Sequence, residues 1–176
     1  MRSEHELEFA SADDSYGLVL GIQPLRDVLR HCQGAGRMET GGILVGQYDG
    51  DMKRAIVLAV SGPPADSFLG CLSFVRGVRG LQRWLDARWR RNEGFYLGEW
   101  HFHPYASPSP STVDIEQMRR ISQSRHYCCP EPILVIIGGD PTGEWSVRSY
   151  VFPRNAESLE LLPRCSPAAP GPAKEP

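Results

Sequence analysis

Apolar positions along this chain recur with two periods, one near two residues and one near 3.6, and the switching between them predicts the elements. Tyr16 to Leu20 reads as a short strand. A run opened by Pro24 and continued by Leu25, Val28 and Leu29 predicts a helix that stops before Gly34 and Gly36. Ile43-Leu44-Val45, the turn Asp49-Gly50-Asp51 and the stretch from Arg54 to Ser61 predict a hairpin. Gly62-Pro63-Pro64 then breaks the sheet. Ala65 to Phe74 has no clear period, so Phe68, Leu69, Leu72 and Phe74 suit a binding loop as well as a cover for the core. From Val75 to Asn92, Val78, Leu81, Trp84, Leu85 and Trp89 recur at helical spacing and predict a helix lying on the sheet. Arg76, Arg79, Arg83, Arg90 and Arg91 mark its flanking faces and read as solvated.

The pattern is sharpest from Tyr96 to His103. Alternation across a pleat puts Glu99, His101 and His103 on one face, Trp100 and Phe102 on the other. Pro104, Pro108 and Pro110 make the next segment a stiff connection. Ser111 then opens an amphipathic run through Val113, Ile115, Met118 and Ile121, with Ser111 as N-cap and Asp114 at the third helical position. Ile133 to Ile137 is wholly apolar, as a central strand would be, and Trp145 to Phe152 alternates as its neighbour after the turn Asp140-Pro141-Thr142-Gly143. Residues 1–14 read as a polar arm, with a short strand near Leu7–Ala10 as the alternative. Residues 154–176 read as a tail, Pro- and Ala-rich and disordered beyond Arg164.

Length and charge narrow the classes of function. The 176 residues, 41% hydrophobic, suit one domain, and a net charge of −2 gives no field for nucleic acid or an anionic membrane. Neither a signal peptide nor a run of about 20 apolar residues is present, so a cytoplasmic protein is expected. The five cysteines form no disulfide framework and no C-x2-C pair. His126, Tyr127, Cys128 and Cys129 have the spacing neither of a zinc ribbon nor of a zinc deaminase, which favours loop packing over a second metal site.

His101, His103 and Asp114 have the donor chemistry of a zinc site. Two imidazoles at i and i+2 can reach one cation, and a carboxylate in the first turn of the next helix can point back at them. Three such ligands leave a fourth tetrahedral position for water, the arrangement of a catalytic zinc. The blander reading is a capping box, S-T-V-D, beside two solvated histidines; it leaves the same-face histidines before the box unexplained.

The segment H-F-H-P-Y-A-S-P-S-P-S-T-V-D resembles the His-x-His-x7-Ser-x2-Asp signature of the JAMM, or MPN-domain, metalloproteases, and G-E-W-H-F-H-P looks like their bacterial JAB-type branch. The resemblance covers about residues 15–153. It implies an α/β fold of the α+β kind: a mixed, mostly antiparallel central sheet flanked by helices, as in MPN domains and similar to cytidine deaminases. It also implies a zinc ion on His101, His103 and Asp114, with Glu39 upstream as general base and acid, and Ser111 as hydrogen-bond donor to the oxyanion. Glu99 shares the histidine face and could itself be base, fourth ligand or a partner behind the ligands; about 6–7 Å along the strand from His101, it is the runner-up to Glu39 for the base. The activity implied is cleavage of a peptide or isopeptide bond after the C-terminal tail of ubiquitin or a ubiquitin-like protein. Bacterial members stand beside E1- and E2-like conjugation enzymes, some in antiphage defence operons, so the expected partners are a conjugated protein and those enzymes. The rival from another class is a non-catalytic MPN scaffold. A metallo-β-lactamase-like site is disfavoured because Pro104-Tyr105 follows the histidine pair where that fold expects an aspartate and a further histidine.

Overall fold

The computed structural model describes residues 6–51 and 53–164. The elements in chain order are β1 (Leu7–Ala10), β2 (Gly17–Leu20), α1 (Ile22–Ala35), β3 (Thr40–Tyr48), β4 (Arg54–Val60), β5 (Phe68–Leu69), β6 (Phe74–Val75), α2 (Leu81–Arg90), β7 (Phe95–Pro104), α3 (Thr112–Gln123), β8 (Ile133–Gly139), β9 (Trp145–Val151) and β10 (Leu159–Arg164). Eight strands form one closed sheet in the order β1-β10-β9-β8-β7-β3-β4-β2, while β5 and β6 pair as a separate small hairpin. Within the closed sheet, β2 with β4 and β7 with β8 are parallel, and the other pairs are antiparallel. The mixed, mostly antiparallel sheet with helices on it is thus the architecture of this chain.

Closure depends on residues outside the expected domain limits of 15–153. β1 pairs with both β2 and β10, and β10 continues from β9. The polar arm and the start of the tail are therefore parts of the sheet. An unpaired strand edge leaves a row of backbone donors and acceptors unsatisfied, and the two terminal strands remove both edges by pairing with each other. The remaining tail, residues 165–176, lies outside the described residues.

Alternation on the strands sorts the core into two layers. Phe9, Leu18, Leu44, Leu97, Trp100, Phe102, Val135 and Ile137 pack on one side, joined by Leu25, Val28 and Cys32 of α1. Ile43, Val45, Leu134 and Ile136 face the other side, beneath Met118 and Ile121 of α3, with Leu81, Trp84 and Leu85 of α2 packed against them. Glu99, His101 and His103 share the parity of this second layer, so the strand that anchors the first core with Trp100 and Phe102 presents its polar face under the helices.

Two helices depart from their expected limits. α1 runs through Gly34 and ends at Gly36, whose positive φ of 63° suits glycine and turns the chain out of the helix. α2 begins only at Leu81, leaving Val78 exposed, and Trp89 near its end also faces solvent. Helical spacing alone had placed both against the sheet. No helix among the described residues is long and apolar enough to cross a membrane.

Candidate metal centre

β7 lies between β3 and β8, which fixes its register on both sides. Glu99 stands opposite Ile43 and Leu134, His101 opposite Gly41 and Ile136, and His103 beside Gly138. A side chain at position 41 would crowd this register. A Cβ there would lie 2.5 Å from the Trp100 carbonyl oxygen, 2.7 Å from Phe74 Cε1 and 3.0 Å from His101 Cδ2. The missing side chain lets Phe74 of β6 set its edge against the His101 ring, with centroids 5.7 Å apart.

The start of α3 supplies the third group. Ser111 caps the helix: its hydroxyl accepts from the Asp114 amide at 3.2 Å, while Asp114 Oδ2 accepts from the Ser111 amide and hydroxyl, each at 2.7 Å. Asp114 Oδ1 lies 2.7 Å from His101 Nδ1, and His103 Nε2 lies 3.6 Å from Oδ2. One ligand atom from each of His101, His103 and Asp114 falls within 4.8 Å of the others. Val113, expected among the apolar core positions of this helix, is exposed and lines the adjoining cavity.

Electrostatics at this corner favour positive charge. Burial opposes protonation of His101, but the hydrogen bond with Asp114 and the nearby Glu99 outweigh it and hold the imidazole at about 9. Burial likewise works to raise the Asp114 carboxyl, yet His101 and Ser111 keep it far below the usual range. The residues fit a metal ion: the donor set is two imidazoles and a carboxylate, with His101 Nδ1 and His103 Nε2 both towards Asp114. The other nitrogen of His101, Nε2, is buried without a hydrogen-bond partner and sits 3.6 Å from Glu99 Oε2, too far for a hydrogen bond.

A cavity of about 450 Å³ opens onto the three residues. Glu39 and Ser111 line it at the metal corner, and Leu72, Phe74, Val75 and Val113 form an apolar part. Glu39 is half-buried just ahead of β3; burial pushes its carboxyl above the ordinary value and Asp114 adds to this, while His103 and His101 oppose it. The segment from Ala65 to Phe74, which carried no sequence period, becomes the β5–β6 hairpin, and its tip forms one wall of this cavity. A larger cleft of about 650 Å³ along β1 and β2 is lined by charges of both signs, among them Glu8, Asp49, Lys53 and Arg54, and holds none of the site residues.

Glu99 is fully buried and does not line the cavity. Its partner is Arg76, whose Nε and Nη2 donate to Oε1 at 3.0 and 2.8 Å. Arg76 is therefore not one of the solvated arginines, as helical spacing had suggested; the helix starts five residues later and Arg76 turns inward. Gln117, one turn after Asp114 on α3, donates to Glu99 Oε2 at 2.8 Å. Gln117 carries no motif of its own, and its one signal in the sequence is the i, i+3 spacing from Asp114 that places both on one helix face. In the loop after α3, Cys128 Sγ points to the Arg125 carbonyl and Cys129 Sγ to that of Leu97, so the pair faces apart.

The family of prokaryotic homologues of the JAB domain matches residues 23–151. This chain belongs to the JAB-domain family. A protein of Enterobacter hormaechei named CD-NTase/cGAS isopeptidase is 40% identical over 156 residues, covering 89% of this chain and 86% of that protein. A Pseudomonas aeruginosa protein of the same name is 29% identical over 87% of this chain and 88% of its own length. A protein of Sinorhizobium fredii named as a probable metalloprotease is 29% identical over 65% of this chain and 70% of its own. Among solved structures, the solution structure of a Desulfitobacterium hafniense protein aligns with a TM-score of 0.55 at 22% identity, over 78% of this chain and 85% of that one, which shows the shared fold.

Proposed function

We propose that this JAB-domain protein is a zinc-dependent isopeptidase. It hydrolyses the amide bond after the C-terminal tail of a conjugated protein, of the CD-NTase kind named for its relatives or a ubiquitin-like modifier. The observation that carries the reading is the gathering of His101, His103 and Asp114 at one end of a cavity that Glu39 and Ser111 also line. A non-catalytic scaffold has no use for a complete ligand set beside a half-buried carboxylate.

His101, His103 and Asp114 would hold the zinc, which when bound would supply Lewis acidity and lower the pKa of water at the site towards neutrality. The chain's own groups do the rest. Glu39 accepts a proton from the attacking water and returns it to the leaving nitrogen as the carbon–nitrogen bond breaks and the water oxygen joins the carbonyl carbon. Ser111 turns its hydroxyl from Asp114 Oδ2 to the carbonyl oxygen as negative charge gathers there. Its second role as helix cap uses an oxygen lone pair and leaves the proton free to move between these acceptors. Leu72, Phe74 and Val75 hold the tail against the hairpin and exclude water. Such an enzyme works in the cytoplasm beside the conjugation enzymes that build its substrate, in the setting of antiphage defence.

The test is metal analysis together with cleavage. Purified protein is expected to carry about one zinc per chain and to release a CD-NTase from its conjugate, with the cut located by mass spectrometry. A chelator is expected to stop cleavage and added zinc to restore it. Glu39→Gln is expected to keep zinc and fold while cleavage falls by at least a hundredfold. Undiminished turnover in Glu39→Gln would remove Glu39 from the mechanism, and a stable, metal-free wild type would overturn the enzyme reading.

A further inference from the structure

We propose that Glu99 is a positioning residue for the metal centre and that Arg76, at the foot of the substrate hairpin, locks it in place, so that the hairpin and the first metal ligand form one mechanical unit. The assignment rests on the isopeptidase reading and extends it to residues that touch neither metal nor substrate.

The geometry is specific. His101 presents Nδ1 to Asp114, on the side where His103 also lies, which makes Nδ1 the metal-facing nitrogen. Its proton must then reside on Nε2. The nearest carboxylate to Nε2 is that of Glu99, with Oε2 at 3.6 Å, and Nε2 has no other partner. The assignment requires this gap to close to the roughly 2.9 Å of a hydrogen bond when the metal is held. A histidine that ligates a metal generally donates its other N–H in this way, which fixes ring orientation and raises ligand basicity.

Glu99 cannot turn away from that duty. Arg76 holds Oε1 through two donors, the Tyr96 hydroxyl approaches the same oxygen at 3.4 Å, and Gln117 holds Oε2 at 2.8 Å. Arg76 is itself buried, and its Nη2 also donates to the Tyr127 hydroxyl at 3.2 Å. A buried ion pair kept only for stability is readily matched by well-packed apolar residues, so the pair's presence beneath a ligand calls for another use. That use follows from where Arg76 stands. It comes directly after β6, whose Phe74 touches the His101 ring and lines the cavity. The hairpin thus grips His101 twice, once by contact and once through Arg76 and Glu99. A substrate tail that settles the hairpin also settles the ligand.

The experiment compares zinc affinity of wild type, Glu99→Gln and the double variant Arg76→Met/Glu99→Leu, by competition with a chromophoric chelator. Cobalt(II) absorption spectra and thermal unfolding of the metal-free proteins are recorded alongside. The double variant removes both buried charges together, so it is expected to remain folded with a metal-free melting temperature close to that of wild type. Its zinc affinity is expected to fall 10- to 100-fold with an altered cobalt spectrum. Glu99→Gln keeps a carbonyl acceptor for Nε2–H and is expected to retain affinity within about tenfold of wild type. A double variant with wild-type zinc affinity and cobalt spectrum would reduce Arg76 and Glu99 to structural glue and overturn the inference alone. A wild type that binds no zinc would overturn the isopeptidase reading and this inference with it.

Discussion

Gly41 and Gly50 show how differently one residue type acts along a single chain. From sequence both are ordinary turn or strand glycines, but a Cβ at Gly50 meets nothing within 4 Å, whereas at Gly41 it collides with Trp100, Phe74 and His101. Gly41→Ala is therefore expected to cost about 1–3 kcal/mol in urea unfolding, as overpacking does, and to weaken zinc binding by displacing the His101 ring. Gly50→Ala is expected to stay within about 0.5 kcal/mol of wild type. Equal behaviour of the two variants would disprove the close packing of Gly41 on His101. The gathering of the two histidines, Asp114 and Ser111 was readable at this scale because their spacing is itself the signal, whereas Glu39 entered only through the family resemblance. Arg76 and Gln117 were not, since nothing in an arginine-rich stretch marks the one guanidinium that turns inward to meet a buried carboxylate.

At the scale of elements, the first turn of α3 and the β5–β6 hairpin divide the work of the site. The cap is local chemistry: Ser111 and Asp114 satisfy each other's groups within four residues, which is why S-T-V-D could be read directly. Ser111→Ala is expected to lower stability by about 1 kcal/mol through loss of the cap, with Ser111→Thr restoring most of it, both measured by thermal or urea unfolding. A further loss of cleavage in Ser111→Ala that exceeds its loss of stability is the mark of the hydroxyl's second role. The hairpin is the opposite case, because two-residue strands bury too little to impose a period on their sequence. Its form comes from what it leans on, Phe74 against His101 and the Glu39 amide donating to the Gly70 carbonyl at 2.8 Å. Leu72 is almost fully exposed at 92% and lines the cavity, so Leu72→Ser is expected to leave the melting temperature unchanged and to raise KM for the conjugate. An unchanged KM would take the hairpin tip out of substrate binding.

For the molecule as a whole, the closed sheet is what holds β7 rigid under the helices, and closure depends on the two ends of the chain. Leu161 of β10 is 1% exposed within the inner core although it lies in the stretch read as tail. Leu161→Ala is expected to cost about 2–5 kcal/mol, and a chain ended after residue 153 to lose cooperative unfolding altogether. A truncated chain that melts as sharply as the full one would show that β10 is dispensable. By itself the sequence determined the elements with strong periods, the polar face of β7, the cap of α3 and the candidate ligand set that the fold brings together, because alternation, capping and motif spacing are written in residues close to one another. The tertiary structure alone decided the closure of the sheet through β1 and β10, the inward turn of Arg76 to Glu99, and the seating of the hairpin on His101. These are pairings between residues far apart in the chain, and only the need to satisfy buried charges and open strand edges selects them.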